Sequence, residues 1–184
     1  MRNIAIYKAT LDNEEIDQLK SVLQAKDDLS KVLEFEEKMV KYIGAKYAIA
    51  TATSTAALHL ALSSMRLKRG DKVLMSVNSF VNLPETVRHF DAEPIFVDIN
   101  LEDMNLDIEK FEETIIANKS KKLRAAIITF IGGLAPNLDK IYEIGKKYNI
   151  LIIEDCRAAL GTTYKGKKVG NLGARSEEHT SELQ

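Results

Sequence analysis

Apolar and polar positions along this chain change rhythm twice. From Asp12 the apolar residues recur at helical spacing. Ile16, Leu19, Val22 and Leu23 make one stripe, and Phe35, Met39 and Tyr42 make another on a second short helix. Asp12 can cap the first helix with Glu15 as its capping-box partner, and Gly44 can end the second. After Gly44, short apolar runs alternate with helical stretches. The runs are YAIA at 47–50, KVLM at 72–75, PIFV at 94–97, AAIITF at 125–130 and ILIIE at 150–154, the last of which reads as buried from Ile150 to Ile153. Helical stretches fill the gaps at 55–65, 83–90, 107–117 and 137–148. Runs this short and this rich in β-branched residues predict strands. Their starts fall about 22 to 31 residues apart, the spacing of βα units. The pattern therefore predicts an α/β fold with a mainly parallel sheet flanked by helices. The second change comes at Arg175, where RSEEHTSELQ keeps one strongly apolar residue, Leu183.

Composition narrows the function more than the fold. With 184 residues, 45% of them apolar and 29% charged, the chain can build one sizeable core. Lys and Arg number 26 against 27 Asp and Glu, so no net basic footprint calls for a nucleic acid. The basic runs KSKK at 119–122 and KGKK at 165–168 read as solvated faces. The start, MRNIAIYKATLDNEE, lacks the long apolar stretch of a signal peptide, and no run is long enough for a membrane span. One cysteine, Cys156, excludes an internal disulfide, and a cytoplasmic location is expected. His59, His89 and His179 are scattered and form no zinc pattern with it. Neither G-x-G-x-x-G after the first strand nor G-x-x-x-x-G-K-[ST] occurs.

Parallel sheets place ligands beyond the C-terminal ends of their strands, so the residues after each run are the candidates for chemistry. In TATSTAALHLAL at 51–62, Ser54 and Thr55 open a helix. They can serve as an ordinary cap, or their hydroxyls and the free N–H groups can hold a phosphate. His59, one turn in, reads as a packed or surface residue. In VNSFVNLPETV at 77–87, Phe80 is either a core side chain or the cover of a planar ligand. Asn78 and Asn82 can hydrogen-bond a ligand or cap the loop, and Pro84 suits a first helical turn. In TFIGGLAPNLD at 129–139, Gly132 and Gly133 permit a tight turn and Asn137 can cap the next helix. Asp155 ends an apolar run and needs a partner there. A protonated ring nitrogen would serve; so would a salt bridge or a cap. Glu154, its neighbour, points to the opposite face if the strand continues.

Read together, FEEKMVKYIGAKYAIATATSTAALHLAL, RGDKVLMSVNSFV, AEPIFVDIN and IIEDCRAALGTTYKGKKVGNLG resemble the sugar aminotransferases of the DegT/DnrJ/EryC1/StrS family, from about residue 8 to Gly173. The resemblance implies an enzyme with the aspartate-aminotransferase type of fold, of which residues 31–174 would be part of the large, cofactor-binding domain of a type I pyridoxal-phosphate enzyme. Residues 1–30 would be a helical arm. It implies pyridoxal 5′-phosphate as cofactor, with Ser54 and Thr55 in the phosphate-binding turn, Phe80 stacked on the pyridine ring and Asp155 on the ring nitrogen. It further implies transfer of an amino group from an amino acid, glutamate in most of the family, to a nucleotide-linked keto sugar for cell-surface polysaccharide biosynthesis. A homodimer is implied as well. A sugar dehydratase on the same fold and a non-catalytic regulatory member are the alternatives.

Departures from the family pattern matter as much. Ser54 stands where Gly or Ala is usual. Ala158 stands where Gln or His is usual near the cofactor's ring hydroxyl, with Arg157 close by. FIGGLAPNLD alters the polar groups of a loop. The family's Schiff-base lysine falls in a window that opens near position 180, and no lysine follows Lys168. Lys165, Lys167 and Lys168 sit too early, in a predicted hairpin, YKGKKV. RSEEHTSELQ resembles the codon-by-codon translation of a sequencing-adapter read, so 175–184 is expected to be a non-native tail on a partial chain, inactive by itself. A natural acidic tail is the alternative.

Overall fold

The computed structural model describes residues 11–24 and 29–171, and the tail expected at 175–184 lies outside them. Two helices come first, α1 (Asn13–Gln24) and α2 (Leu29–Ile43). The capping box at the start of α1 forms: the Asp12 N–H donates to Glu15 Oε2 at 2.7 Å, and the Glu14 N–H donates to Asp12 Oδ1 at 2.8 Å. The α1 stripe forms as a helix face but is not covered, since Ile16, Leu19 and Leu23 stay exposed. The second helix spans 15 residues, longer than its sequence stripe suggested, and stops at Gly44 with φ +78°.

The next elements alternate as the spacing demands: α3 (Ser54–Ser64), β1 (Lys72–Ser76), α4 (Asn82–Arg88), β2 (Glu93–Val97), α5 (Ile108–Ala117), β3 (Leu123–Thr129), a 3-10 turn at Ile131–Gly133, α6 (Leu138–Tyr148) and β4 (Leu151–Asp155). The four strands form one sheet in the order β2-β1-β3-β4, and every pairing in it is parallel. A hairpin of β5 (Thr163–Tyr164) and β6 (Lys167–Lys168) follows, turned by Lys165 and Gly166 at positive φ. Among the described residues no helix is long and apolar enough to cross a membrane.

Strand alternation sorts the core into two layers. Val73 and Met75 of β1 and Ala125 and Ile127 of β3 pack with Leu58 and Leu62 of α3 and Leu83 and Val87 of α4. Their neighbours Leu74, Ala126 and Ile128 point the other way, onto Phe111 and Ile115 of α5 and Ile141 and Ile144 of α6. The sheet is therefore sandwiched, with α3 and α4 on one face and α5 and α6 on the other. The chain leaves β1 for β2 and leaves β3 for β4, in opposite directions across the sheet. A crevice at the C-terminal strand ends is the outcome of that topology.

Two strand expectations are corrected. Among the described residues YAIA at 47–50 forms no strand and none pairs with it; Tyr47 and Ile49 are exposed, and the Ala50 N–H goes to Glu36 Oε1 at 2.7 Å. An extended segment without a neighbour has no ladder to join. Nor is the last strand fully buried. Ile150 is, but Leu151 is 57% exposed and Ile152 and Ile153 are half-buried, because β4 is the outermost strand of the sheet among the described residues.

Candidate functional site

The end of β4 presents two carboxylates to two different faces. Ile152 packs in the α5/α6 layer and Ile153 against the α3/α4 layer. Glu154 follows the parity of Ile152. It accepts from Tyr142 Oη of α6, and from the Gly170 N–H at 2.7 Å. Asp155 follows the parity of Ile153 and faces α3 and α4. Its register partner on β3 is Thr129, which points to the same side. Cys156 comes next. Burial, and after it the Glu154 and Asp155 carboxylates, push its thiol well above the ordinary cysteine range.

The opposing wall comes from α3 and the loop after β1. Thr53 caps α3, its Oγ1 accepting from the Ala56 N–H at 3.1 Å. Ser54 and Thr55 are thus the first two helical residues, where N–H groups have no intrahelical acceptor. Asn82 opens α4 and donates from Nδ2 to Thr55 Oγ1 at 3.0 Å. Its other amide atom, Oδ1, accepts from Arg157 Nη1 at 3.0 Å. The Arg157 guanidinium lies 4.5 Å from the centre of the Phe80 ring. Its Nε lies 3.5 Å from Asp155 Oδ2. One arginine thus links the strand end, the loop aromatic and, through Asn82, the start of α3.

Between these walls lies a cavity of about 330 Å³, lined by Ser54, Ala57, Leu58, Asn82, Ile153, Asp155 and Arg157 among others. Three buried side-chain polar atoms lack a hydrogen-bond partner among the described residues: Thr129 Oγ1, Asp155 Oδ2 and Arg157 Nη2. All three belong to one corner, the C-terminal ends of β3 and β4 on the α3/α4 side. Buried polar groups are normally satisfied, so a cluster of unsatisfied ones marks a place built for another molecule. Asp155 Oδ2 offers an acceptor for a cationic N–H, Phe80 a flat apolar face, and the start of α3 a seat for an anion. Together they suit a planar heteroaromatic cation that carries a phosphate.

Of the residues singled out from sequence, Ser54 and Asp155 line the cavity itself. Thr55 stands at its edge with its hydroxyl engaged by Asn82. Phe80 is 70% exposed among the described residues. Thr129 escaped sequence reading, although its parity with Ile127 and its place one residue before Phe130 could have signalled it. His59 lies outside the site, with its ring 4.7 Å from that of Phe90. Two of the three hairpin lysines are engaged elsewhere: Lys165 pairs with Asp139, and Lys168 Nζ sits 4.1 Å from the centre of the Tyr42 ring.

The sequence profile of the DegT/DnrJ/EryC1/StrS aminotransferase family matches residues 9–177. An uncharacterised protein of Methanocaldococcus jannaschii is 37% identical over 161 residues, covering 88% of this chain and 40% of that protein. The GDP-perosamine synthase of Caulobacter vibrioides is 36% identical over 142 residues, covering 77% of this chain and 37% of that enzyme. Among solved structures, the Escherichia coli GDP-4-keto-6-deoxy-D-mannose-3-dehydratase with bound hydrated PLP superposes with a TM-score of 0.83 at 25% identity, covering 94% of this chain and 46% of that one. The chain spans less than half the length of these relatives.

Proposed function

The chain belongs to the DegT/DnrJ/EryC1/StrS aminotransferase family, and from that premise we propose that the protein it forms part of moves an amino group from an amino acid to a nucleotide-linked keto sugar with pyridoxal 5′-phosphate. The observation that carries the reading is Asp155 Oδ2, buried in the cavity that Ser54 also lines, without a hydrogen bond among the described residues and with Arg157 Nε as its ion-pair neighbour at 3.5 Å. These residues fit the cofactor's three chemical features. Asp155 accepts the ring N–H and keeps that proton in place. Phe80 covers a ring face and excludes water from it. Ser54 and Thr55 bind the phosphate through backbone N–H groups and the Ser54 hydroxyl. Thr129 Oγ1 offers one further hydrogen bond at the same corner. Bound there, the cofactor supplies an electron sink for chemistry at the amino-bearing carbon.

Glutamate is the amino donor of this reading, and a homodimer in the cytoplasm is its working form. The single Cys156 suits a reducing compartment. Incubating the protein that contains this chain with cofactor, glutamate and a panel of nucleotide-linked keto sugars tests it. The expected result is 2-oxoglutarate together with a sugar that has gained nitrogen. Neither product, with cofactor in excess, would refute the proposal. Dehydration of the sugar is a second reading, supported by the likeness to the dehydratase structure. A product that has lost water and retained no nitrogen selects it.

A further inference from the structure

Arg157 does more in this site than neutralise a neighbour. Its guanidinium carbon lies over the Phe80 ring, 4.5 Å from the centre, its Nε stands 3.5 Å from Asp155 Oδ2, and its Nη1 donates to Asn82 Oδ1 at 3.0 Å. A guanidinium is planar, cationic, π-delocalised and rimmed with N–H donors. These are the properties that the Phe80 face and the Asp155 carboxylate would recognise in a protonated pyridine ring. The same two side chains cannot stack on, and pair with, both groups at once.

We propose that Arg157 is an internal competitor for the cofactor, folded over Phe80 and Asp155 where the ring would lie and obliged to swing out before the ring can enter. This rests on the cofactor reading of the cavity and adds a controlling residue to it. Its position supports the point. Arg157 is 22% exposed at its side chain, with Nη2 buried and lacking a hydrogen-bond partner among the described residues, so the arginine is held by stacking and charge with its hydrogen bonding incomplete. An incompletely satisfied plug is one that a better-fitting ligand can displace. Its charge keeps Asp155 from standing as an unpaired buried carboxylate. The consequence for binding is arithmetical. Apparent affinity falls by the fraction of molecules in which the arginine is out, so a plug that is in for nine to ninety-nine molecules per open one weakens binding about tenfold to a hundredfold.

The test uses pyridoxamine 5′-phosphate, which has no aldehyde to react with lysines, titrated by calorimetry into the cofactor-free form of the protein that contains this chain. Arg157→Ala should bind at least about tenfold more tightly than the parent chain. Adding Asp155→Ala or Phe80→Ala to Arg157→Ala should remove that gain. Loss of fold cannot imitate this result, because the expected change is a gain in binding. Arg157→Lys keeps the charge without the planar stack and should fall between the two. Equal affinities for the parent chain and Arg157→Ala, both lost with Asp155→Ala, would overturn the competitor and leave the cofactor reading standing. Weaker binding in Arg157→Ala would make the arginine part of the ligand's own site and likewise overturn the proposal. No binding by any variant would overturn the cofactor reading along with it.

Discussion

Gly145 lies inside α6 where the helix crosses β4, and Gly145→Ala brings two opposed effects into one residue. A glycine in a helix interior is worse than alanine by about 1 kcal/mol, so by propensity the substitution stabilises. Space argues the other way. A Cβ on Gly145 would meet Ile152 Cγ1 at 3.0 Å, Ile152 Cδ1 at 3.1 Å and the Ile150 carbonyl oxygen at 3.1 Å. The isoleucine carbons belong to a side chain that can rotate. The carbonyl cannot withdraw as easily, because the Ile150 N–H is bonded to Gly145 O at 2.8 Å and Leu151 is already paired with Ala125. Overpacking of this kind costs about 1–3 kcal/mol, which exceeds the propensity gain at all but its lower limit. The net expectation is a loss of about 1 kcal/mol, or a fall of roughly 0.5 M in the urea midpoint for a domain of this size.

Urea unfolding followed by far-ultraviolet circular dichroism measures it, with Ile152→Ala as the second arm. Removing both isoleucine carbons deletes two of the three close contacts, so Gly145→Ala should cost less in the Ile152→Ala background than in the parent. A midpoint that stays put or rises in Gly145→Ala would show that α6 can lift off β4 without penalty. The account of how β4 is held, and with it the placement of Asp155, would then be wrong.

The other expected outcomes are simpler. In the active protein, Asp155→Asn should lower turnover by several kcal/mol of transition-state stabilisation, about a hundredfold or more, while leaving the circular dichroism spectrum intact; an Asn variant with full activity refutes its role. Thr53→Ala removes the acceptor of the Ala56 N–H and should cost about 1 kcal/mol in the same urea assay; an unchanged midpoint contradicts the cap. Cys156 should resist iodoacetamide at pH 8, reacting at least about tenfold more slowly than a free cysteine. Its raised folded-state pKa keeps the thiol protonated there, and reactivity grows only as pH climbs further. Fast alkylation of the folded chain at pH 8 would contradict the burial. The 184-residue chain by itself should not turn over glutamate and keto sugar, since Lys165 and Lys168 are engaged away from the cavity; turnover abolished by Lys165→Ala or Lys168→Ala would overturn that placement.

What the sequence made legible was local, and what it hid was lateral. Apolar runs at 72–75, 94–97, 125–130 and 150–154 became strands because each lies beside another, and the Asn137 cap and the Gly44 stop formed because a helix end needs only its own neighbours. YAIA has the same composition as those strands but no strand beside it among the described residues, so composition alone misassigned it. Ile150 to Ile153 reads as buried on both faces, yet the order of strands in the sheet, which no run of residues encodes, leaves it outermost among the described residues. The cavity behaves likewise. Asp155 and the start of α3 could be picked out one at a time. That Arg157 bridges to Asn82, 75 positions earlier, depends on how two loops converge after the sheet has formed. Thr129 was readable in principle from the alternation Ala125, Ile127, Thr129, once it was known which face carries the site.

That alternation also explains why two acids stand side by side at 154 and 155. Strand side chains switch faces at every residue, so a slip of β4 by one position would turn the Glu154 side chain toward α3 and α4 and the Asp155 side chain toward α6. The apolar run preceding them defends the register only weakly, because Leu151 is exposed and Ile152 and Ile153 are similar in size and shape. Glu154 defends it with polar bonds. Tyr142 Oη holds it to α6, and the Gly170 N–H closes over it from the segment after the hairpin. Neither partner could be satisfied by an aspartate one residue on, with its shorter side chain and its opposite direction. The structural acid therefore fixes the orientation of the chemical one: Asp155 faces Phe80 and the start of α3 because Glu154 is already committed to the other side of the sheet.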